Sequence, residues 1–299
     1  MNNDELYGMI RARLEGRITF LEDKPEEDLD STIRALWLAS SGMPVSCEKA
    51  GKLDLPALDD SGEQTLLELA EQRLGNVPLA HITRRQSFMG VELLCDRRAL
   101  IPRRETELLG GRALELSREI TAMQPEALVI DVCCGCGNLA AVIARQNPQA
   151  RVYATDLSAE AVALARDNVR FLDLEDRVQV EQGDFLAAFE NEAFYGKVDL
   201  IVCNPPYIST FKVSKMPAEI AANEPALAFD GGMMGLNIIQ KLIMDSPRFL
   251  NASGWVAFEV GLGQGPFVVQ LLERSEQYTQ VDPVYDPAGN IRAISAKMI

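Results

Sequence analysis

Leu128-Val129-Ile130-Asp131-Val132-Cys133-Cys134-Gly135-Cys136-Gly137-Asn138-Leu139 decides the fold of this chain. Leu128 to Val132 is an apolar run of strand length, broken only by Asp131. It enters a turn of small residues, Cys133 to Gly137. The turn leads into Leu139-Ala140-Ala141-Val142-Ile143-Ala144, the pattern of a buried helix. Glycine lets a backbone approach a ligand closely, and a helix start presents unsatisfied N–H groups. Strand, tight turn and helix together form one unit of a parallel sheet covered by helices. The spacing Asp-x-Cys-x-Gly-x-Gly is not the dinucleotide fingerprint.

The elements that follow repeat the pattern. Arg151 to Thr155 reads as a second strand ending at Asp156, where a carboxylate can accept both hydroxyls of a ribose. Ser158 is an N-cap for a helix from Ala159 to Phe171. Arg177 to Glu181 reads as a third strand, leading into Gly183-Asp184-Phe185, with Asp184 placed to accept from an adenine amino group. Either acid alone would be a solvated turn residue. Two at the ends of successive strands favour a bound nucleoside. The Asp131–Gly137 loop resembles the nucleoside-binding loop of Rossmann-type S-adenosylmethionine methyltransferases, with Cys133 where the first glycine usually stands. That resemblance implies S-adenosylmethionine as cofactor. The cofactor-binding candidates are Asp131, Cys133, Gly135, Gly137, Asp156, Leu157, Asp184, Phe185 and Asn204.

A second motif supplies the chemistry. Asn204-Pro205-Pro206-Tyr207 follows the apolar run Val198 to Cys203, where a buried strand ends. An amide or aromatic amine nitrogen is a poor nucleophile because its lone pair is delocalised. The Asn204 side-chain oxygen and the Pro205 carbonyl can each accept one N–H of a planar NH2 group. The prolines stiffen the turn, and Tyr207 can stack on the flat π-system. Asn204, Pro205 and Tyr207 are therefore the catalytic candidates. They act by orientation and preorganised dipoles, with no strong base.

Composition narrows the classes. The chain has 299 residues, 47% hydrophobic, with 29 basic and 44 acidic residues and a net charge of −15. An acidic chain is poorly suited to neutralising phosphates, so direct nucleic-acid binding is not expected. The first residues lack the basic-then-apolar pattern of a signal peptide, and no apolar run approaches the ~20 residues of a membrane span. A cytoplasmic protein with no membrane partner is the expectation. Cys133, Cys134 and Cys136 cluster, and Cys203 ends another strand. Their spacing is not paired Cys-x2-Cys, and His81 is the only histidine, so no metal is expected and the six cysteines read as packing residues. His81 reads as structural.

Residues 1–85 show helical patterns. One runs from Ser31 to Ala39; another follows the capping-box spacing Ser61-Gly62-Glu63-Gln64 and stops at Gly75. They predict a small N-terminal helical domain with a role in substrate recognition. Residues 86–107 read as a linking β-hairpin with strands Ser87–Cys95 and Ala99–Pro102, and residues 108–299 as the catalytic domain. Gly254 to Val260 predicts a further strand, followed by a helix from Gln264 to Arg274. Val281–Tyr285 and Ile291–Ala296 predict a terminal hairpin that adds an antiparallel edge. The fold class is α/β: a Rossmann-like methyltransferase sheet, mostly parallel with a C-terminal antiparallel hairpin, beside a small helical domain.

Several segments occur in the order found in one family. They are Pro78 to Thr83, Ser87-Phe88-Met89-Gly90, Ile101-Pro102-Arg103-Arg104-Glu105-Thr106-Glu107 and Asn204 to Tyr207, then Glu224-Pro225-Ala226-Leu227-Ala228, Asp230-Gly231-Gly232, Gly235-Leu236 and Phe258-Glu259-Val260-Gly261. With them the chain resembles the protein glutamine N5-methyltransferases that act on peptide-chain release factors. The resemblance implies a release-factor glutamine as substrate. His81 and Arg104 stand where relatives commonly have an aromatic residue and a proline, and residues 210–222 are atypical. A small-molecule N-methyltransferase, a DNA adenine N6-methyltransferase and a non-catalytic S-adenosylmethionine-binding protein are the alternatives. The acidic balance weighs against the DNA enzyme, and the retained Asn-Pro-Pro-Tyr turn weighs against the non-catalytic protein.

Overall fold

The computed structural model describes residues 2–21, 23–207, 218–229 and 235–299. Asp230-Gly231-Gly232 and most of the 210–222 stretch lie outside the described residues. The chain forms two compact units. One comprises Met1–Arg97, Ile101–Arg104 and Pro217–Glu224, and the other Arg98–Leu100, Glu105–Met216 and Pro225–Ile299.

The second unit is built on a seven-stranded sheet. Its strands are β3 (Ala127–Val132), β4 (Ala150–Asp156), β5 (Val178–Gln182), β6 (Val198–Cys203), β7 (Leu250–Glu259), β8 (Tyr278–Tyr285) and β9 (Ile291–Met298), in the order β5-β4-β3-β6-β7-β9-β8. The first five run parallel. β9 pairs antiparallel with β7 and β8 with β9, so the expected antiparallel edge is present. Every residue of β6 is buried, including Asp199, whose carboxylate accepts from the Leu128 N–H at 2.7 Å and the Asn251 side-chain amide at 2.6 Å. A carboxylate in a buried strand is tolerated only with such partners. The sheet helices are α6 (Thr106–Met123), α7 (Asn138–Gln146), α8 (Ala159–Phe171), α10 (Asn237–Asp245) and α11 (Gly265–Glu273). Ser158 caps α8, its hydroxyl accepting from the Ala161 N–H.

Chain progression reverses between β3 and β6. From β3 the chain moves through β4 to β5; from β6 it moves through β7 the other way. Such a reversal opens a crevice at the carboxyl ends of the strands. Val132 pairs with Cys203, so the loops beginning at Cys133 and Asn204 leave the sheet side by side.

The first unit contains α1 (Asn3–Leu14), α2 (Leu29–Ser40), α3 (Cys47–Ala50), α4 (Asp60–Leu74), α5 (Leu79–Thr83), β1 (Arg85–Phe88), β2 (Val91–Leu94) and α9 (Ala218–Asn223). Two helices begin earlier than expected, because Asp28 caps α2 and Asp59 caps α4. The hairpin also turns earlier. Met89 and Gly90 both have positive φ, at 49° and 77°, the signature of a tight two-residue turn. Arg85–Phe88 therefore pairs with Val91–Leu94, and residues 99–102 form no strand. Two acids from the later part of the chain are anchored in this unit. Glu219 pairs with Arg73 at 3.2 Å and Lys24 at 3.4 Å. Glu224 bonds Arg103 at 2.6 Å and the Ile101 N–H at 3.0 Å. No helix among the described residues is long and apolar enough to cross a membrane.

Candidate active site

The loop after β3 is lashed to the end of β4. The Cys134 N–H donates to the Thr155 carbonyl at 3.0 Å, and the Gly135 N–H to Asp156 Oδ2 at 2.9 Å. The other Asp156 oxygen accepts from the Ser158 N–H at 2.9 Å. Asp156 thus orders the loop and its own turn while keeping lone pairs for a ligand. Burial raises its pKa. Gly137 has φ 79°, and a Cβ there would sit 3.2 Å from the Ala165 Cβ of α8, so both backbone and packing require glycine. Cys133 also lies in the left-handed region, at φ 57°, which is the physical reason glycine suits that position.

Asp131 is fully buried. Its Oδ2 accepts from the Ala140 N–H in the first turn of α7 at 3.0 Å, and its Oδ1 has no partner among the described residues. Burial pushes its pKa up to about 8, and the charge of Asp156 adds to the rise. At the next strand ends, Leu157 is exposed, and Asp184 is exposed with Lys241 Nζ 3.8 Å away. The Phe185 side chain is buried in the core and covered by Lys241 Nζ at 5.0 Å from the ring centroid. Phe185 therefore offers a ligand its backbone rather than its ring.

The turn after β6 is held from several sides. Asn204 Nδ2 donates to Thr106 Oγ1 at 3.1 Å, which commits the amine limb of the amide and turns the carbonyl limb the other way. The Tyr207 hydroxyl lies 2.7 Å from Glu259 Oε1 and 3.1 Å from Glu105 Oε1. Burial and these two acids raise the Tyr207 pKa well above its usual value. Arg292 Nη2 bonds Glu105 and lies 3.9 Å from Glu259. Gln264 Nε2 donates to the Tyr207 carbonyl at 3.1 Å and to the Gly235 carbonyl at 3.3 Å, while its Oε1 accepts from the Gly261 N–H at 2.8 Å. Gly235 has φ 69°, and a Cβ there would come within 2.0 Å of the Tyr207 carbonyl oxygen.

Tyr207 is thus tied down at its hydroxyl. Glu105, Thr106, Glu259, Gln264 and Arg292 had no role in the sequence-based site. One signal pointed to Glu259: an acid inside the apolar run Val256 to Val260 must find partners when buried. Arg292 and Gln264 carried none.

None of the six cysteines is in a disulfide, and five are buried. The Cys133 thiol stands against that of Cys203. Among the described residues no group of three or more His, Cys, Asp or Glu side chains could hold a metal ion. Among the described residues neither ring nitrogen of His81, in the first unit, has a hydrogen-bond partner. Burial and the neighbouring Lys24 charge push its pKa down to about 4, so it is neutral at physiological pH.

Residues 115–242 match a family model described as "Methyltransferase small domain". A "Release factor glutamine methyltransferase" of Moorella thermoacetica is 36% identical over 228 residues, covering 76% of this chain and 77% of that protein. One of Geobacter sulfurreducens is 31% identical over 292 residues, covering 97% and 96%. The chain belongs to the release factor glutamine methyltransferase family. It is a methyltransferase that uses S-adenosylmethionine. The hMettl16 catalytic domain, solved in complex with the MAT2A 3'UTR hairpin 6, superposes with a TM-score of 0.52 at 16% identity. That match covers 69% of this family member and 75% of the other chain, and it establishes a shared fold.

Proposed function

We propose that this methyltransferase transfers a methyl group to the side-chain amide nitrogen of a glutamine in a peptide-chain release factor, in the cytosol. The observation that carries the proposal is the Asn204 amide, fixed through Nδ2 by Thr106 at the carboxyl end of β6, beside the loop after β3. Fixing the amine limb leaves the Asn204 carbonyl oxygen as an acceptor. With the Pro205 carbonyl it can receive both N–H groups of a substrate amide. Holding those hydrogens turns the nitrogen lone pair out of conjugation and toward the methyl donor. Attack makes the nitrogen positive, so both acceptors stabilise charge that grows toward the transition state. The surplus proton then leaves to water. Tyr207, pinned at its hydroxyl, offers a ring wall for the flat amide.

The residues at the β3 and β4 ends fit S-adenosylmethionine. Asp131 keeps a buried oxygen without a partner among the described residues, and Asp156 sits where ribose hydroxyls need acceptors. Asp131, Cys133, Gly135 and Gly137 would hold the methionine side, and Asp156, Leu157, Asp184 and the Phe185 backbone the nucleoside. Asn204 borders the donor. Bound there, S-adenosylmethionine supplies an electrophilic methyl on a sulfonium. Residues 1–85 are proposed as the substrate-recognition domain, 86–107 as the linking segment and 108–299 as the catalytic domain.

Incubation of the enzyme with methyl-labelled S-adenosylmethionine and purified release factor tests the substrate. Mass spectrometry should find one added methyl on a glutamine side chain. Label entering only nucleic acid or small molecules would refute the assignment. Asp156→Ala should weaken S-adenosylmethionine binding by roughly 1–3 kcal/mol in titration calorimetry, because ribose hydroxyls lose their acceptor. Unchanged affinity would remove Asp156 from the site.

A further inference from the structure

Two carboxyl groups meet one phenol hydroxyl in the second unit. Tyr207 Oη is 2.7 Å from Glu259 Oε1 and 3.1 Å from Glu105 Oε1. A phenol carries one hydrogen, and an ionised carboxylate can only accept. With both acids ionised, one of these contacts would set two lone pairs against each other. Among the described residues the only cation facing the pair is Arg292, which bonds Glu105 and stands 3.9 Å from Glu259. Glu259 is 1% exposed, and among the described residues its Oε2 has no partner in hydrogen-bond geometry. The groups that face it are Tyr207, Glu105, Thr106 and Arg292.

We propose that Glu259 is a positioning residue that carries a proton and donates it to the Tyr207 oxygen. Tyr207 then donates to Glu105, whose charge Arg292 balances, and every contact holds one hydrogen. The same carboxyl fixes Asn204 indirectly. The Thr106 hydroxyl lies beside Glu259. With its hydrogen turned to Glu259, its oxygen is left to accept from Asn204 Nδ2 at 3.1 Å. One neutral carboxyl therefore orders both the tyrosine and the asparagine of the turn. Burial, then the charge of Glu105, push the Glu259 pKa up to about 7, while the Thr106 and Tyr207 hydroxyls and Arg292 pull it down. The positioning role rests on the methyl-transfer function proposed above; the protonation does not.

Glu259→Gln supplies a neutral N–H donor in place of the carboxyl, and Glu259→Ala removes it. The folded-state pKa of Glu259 is raised above its ordinary value, so wild-type stability declines as pH rises from about 4.5 through about 7. Melting temperatures across that window should show this decline, and Glu259→Gln should flatten it. Asp131 slopes the same way in both proteins, so their difference isolates Glu259. Methyl transfer by the wild type should fall as pH passes about 7, whereas Glu259→Gln should keep its low-pH rate. Glu259→Ala should lose about tenfold or more in kcat while binding S-adenosylmethionine normally. Identical melting slopes in wild type and Glu259→Gln would overturn the protonation. Equal losses of kcat in Glu259→Gln and Glu259→Ala would overturn the positioning. If Glu259→Ala does not fold, Glu105→Gln replaces it: removing the neighbouring charge should move the melting decline to lower pH, and an unmoved decline counts against the proposal. A wild type that methylates no release factor would refute the proposed function, and the melting comparison would still judge the proton on Glu259.

Discussion

Asn204→Ala should bind S-adenosylmethionine as the wild type does and transfer methyl about 10²–10³ times more slowly. That is the loss expected when one preorganised hydrogen-bonding group leaves a site where charge develops. The structure sharpens the expectation. Nδ2 of Asn204 is held by Thr106, so the side chain does not search for its orientation during the reaction. Alanine removes the acceptor and releases Thr106. Asn204→Asp keeps an acceptor but cannot donate to Thr106 as the amide does. It should fall between wild type and alanine in kcat and respond to pH. Titration calorimetry and single-turnover methylation separate binding from chemistry. A wild-type rate in Asn204→Ala would remove the turn from the mechanism.

Arg73→Met should lower unfolding stability by about 3–5 kcal/mol at neutral pH, the usual cost of removing one partner from a buried ion pair. Arg73 is 1% exposed; its guanidinium faces Glu219 at 3.2 Å, Glu27 at 3.8 Å and the Thr19 carbonyl at 3.3 Å. Lys24 is the only other cation bonded to Glu219 among the described residues. Without Arg73, two buried carboxylates would share one ammonium. Methionine keeps the apolar stem volume, so the loss measures charge rather than a cavity. Burial already raises the pKa of Glu27, which Lys24 and Arg73 pull back down. Losing Arg73 raises it further, so the deficit should shrink as pH falls through the carboxylate range and Glu27 takes up a proton. Denaturant unfolding at pH 7 and pH 5 gives both quantities. A loss below about 1 kcal/mol at pH 7 would mean that the cluster is solvated in solution.

The alternating strands and helices from Leu128 onward could be read from the chain, because apolar runs of strand length and small-residue turns are local signals. The Ser158 cap and the terminal hairpin were legible for the same reason. The linking hairpin was misplaced because its turn depends on positive φ at Met89, which residue type does not announce. The helices capped by Asp28 and Asp59 began early because several polar residues near each start could have served as cap.

The candidate site divides along the same line. Asn204, Tyr207, Asp131 and Asp156 stand at strand ends, where chain order alone brings chemistry to one edge of a parallel sheet. What orients them comes from remote segments. Thr106 opens α6, Glu259 closes β7, Gln264 precedes α11 and Arg292 lies in β9, and only strand order and register carry them to the Asn-Pro-Pro-Tyr turn. The candidate groups are named by local motif, because their backbone setting is local. Their rotamers and protonation are not, because burial and hydrogen-bond partners are properties of packed neighbours far away in the chain.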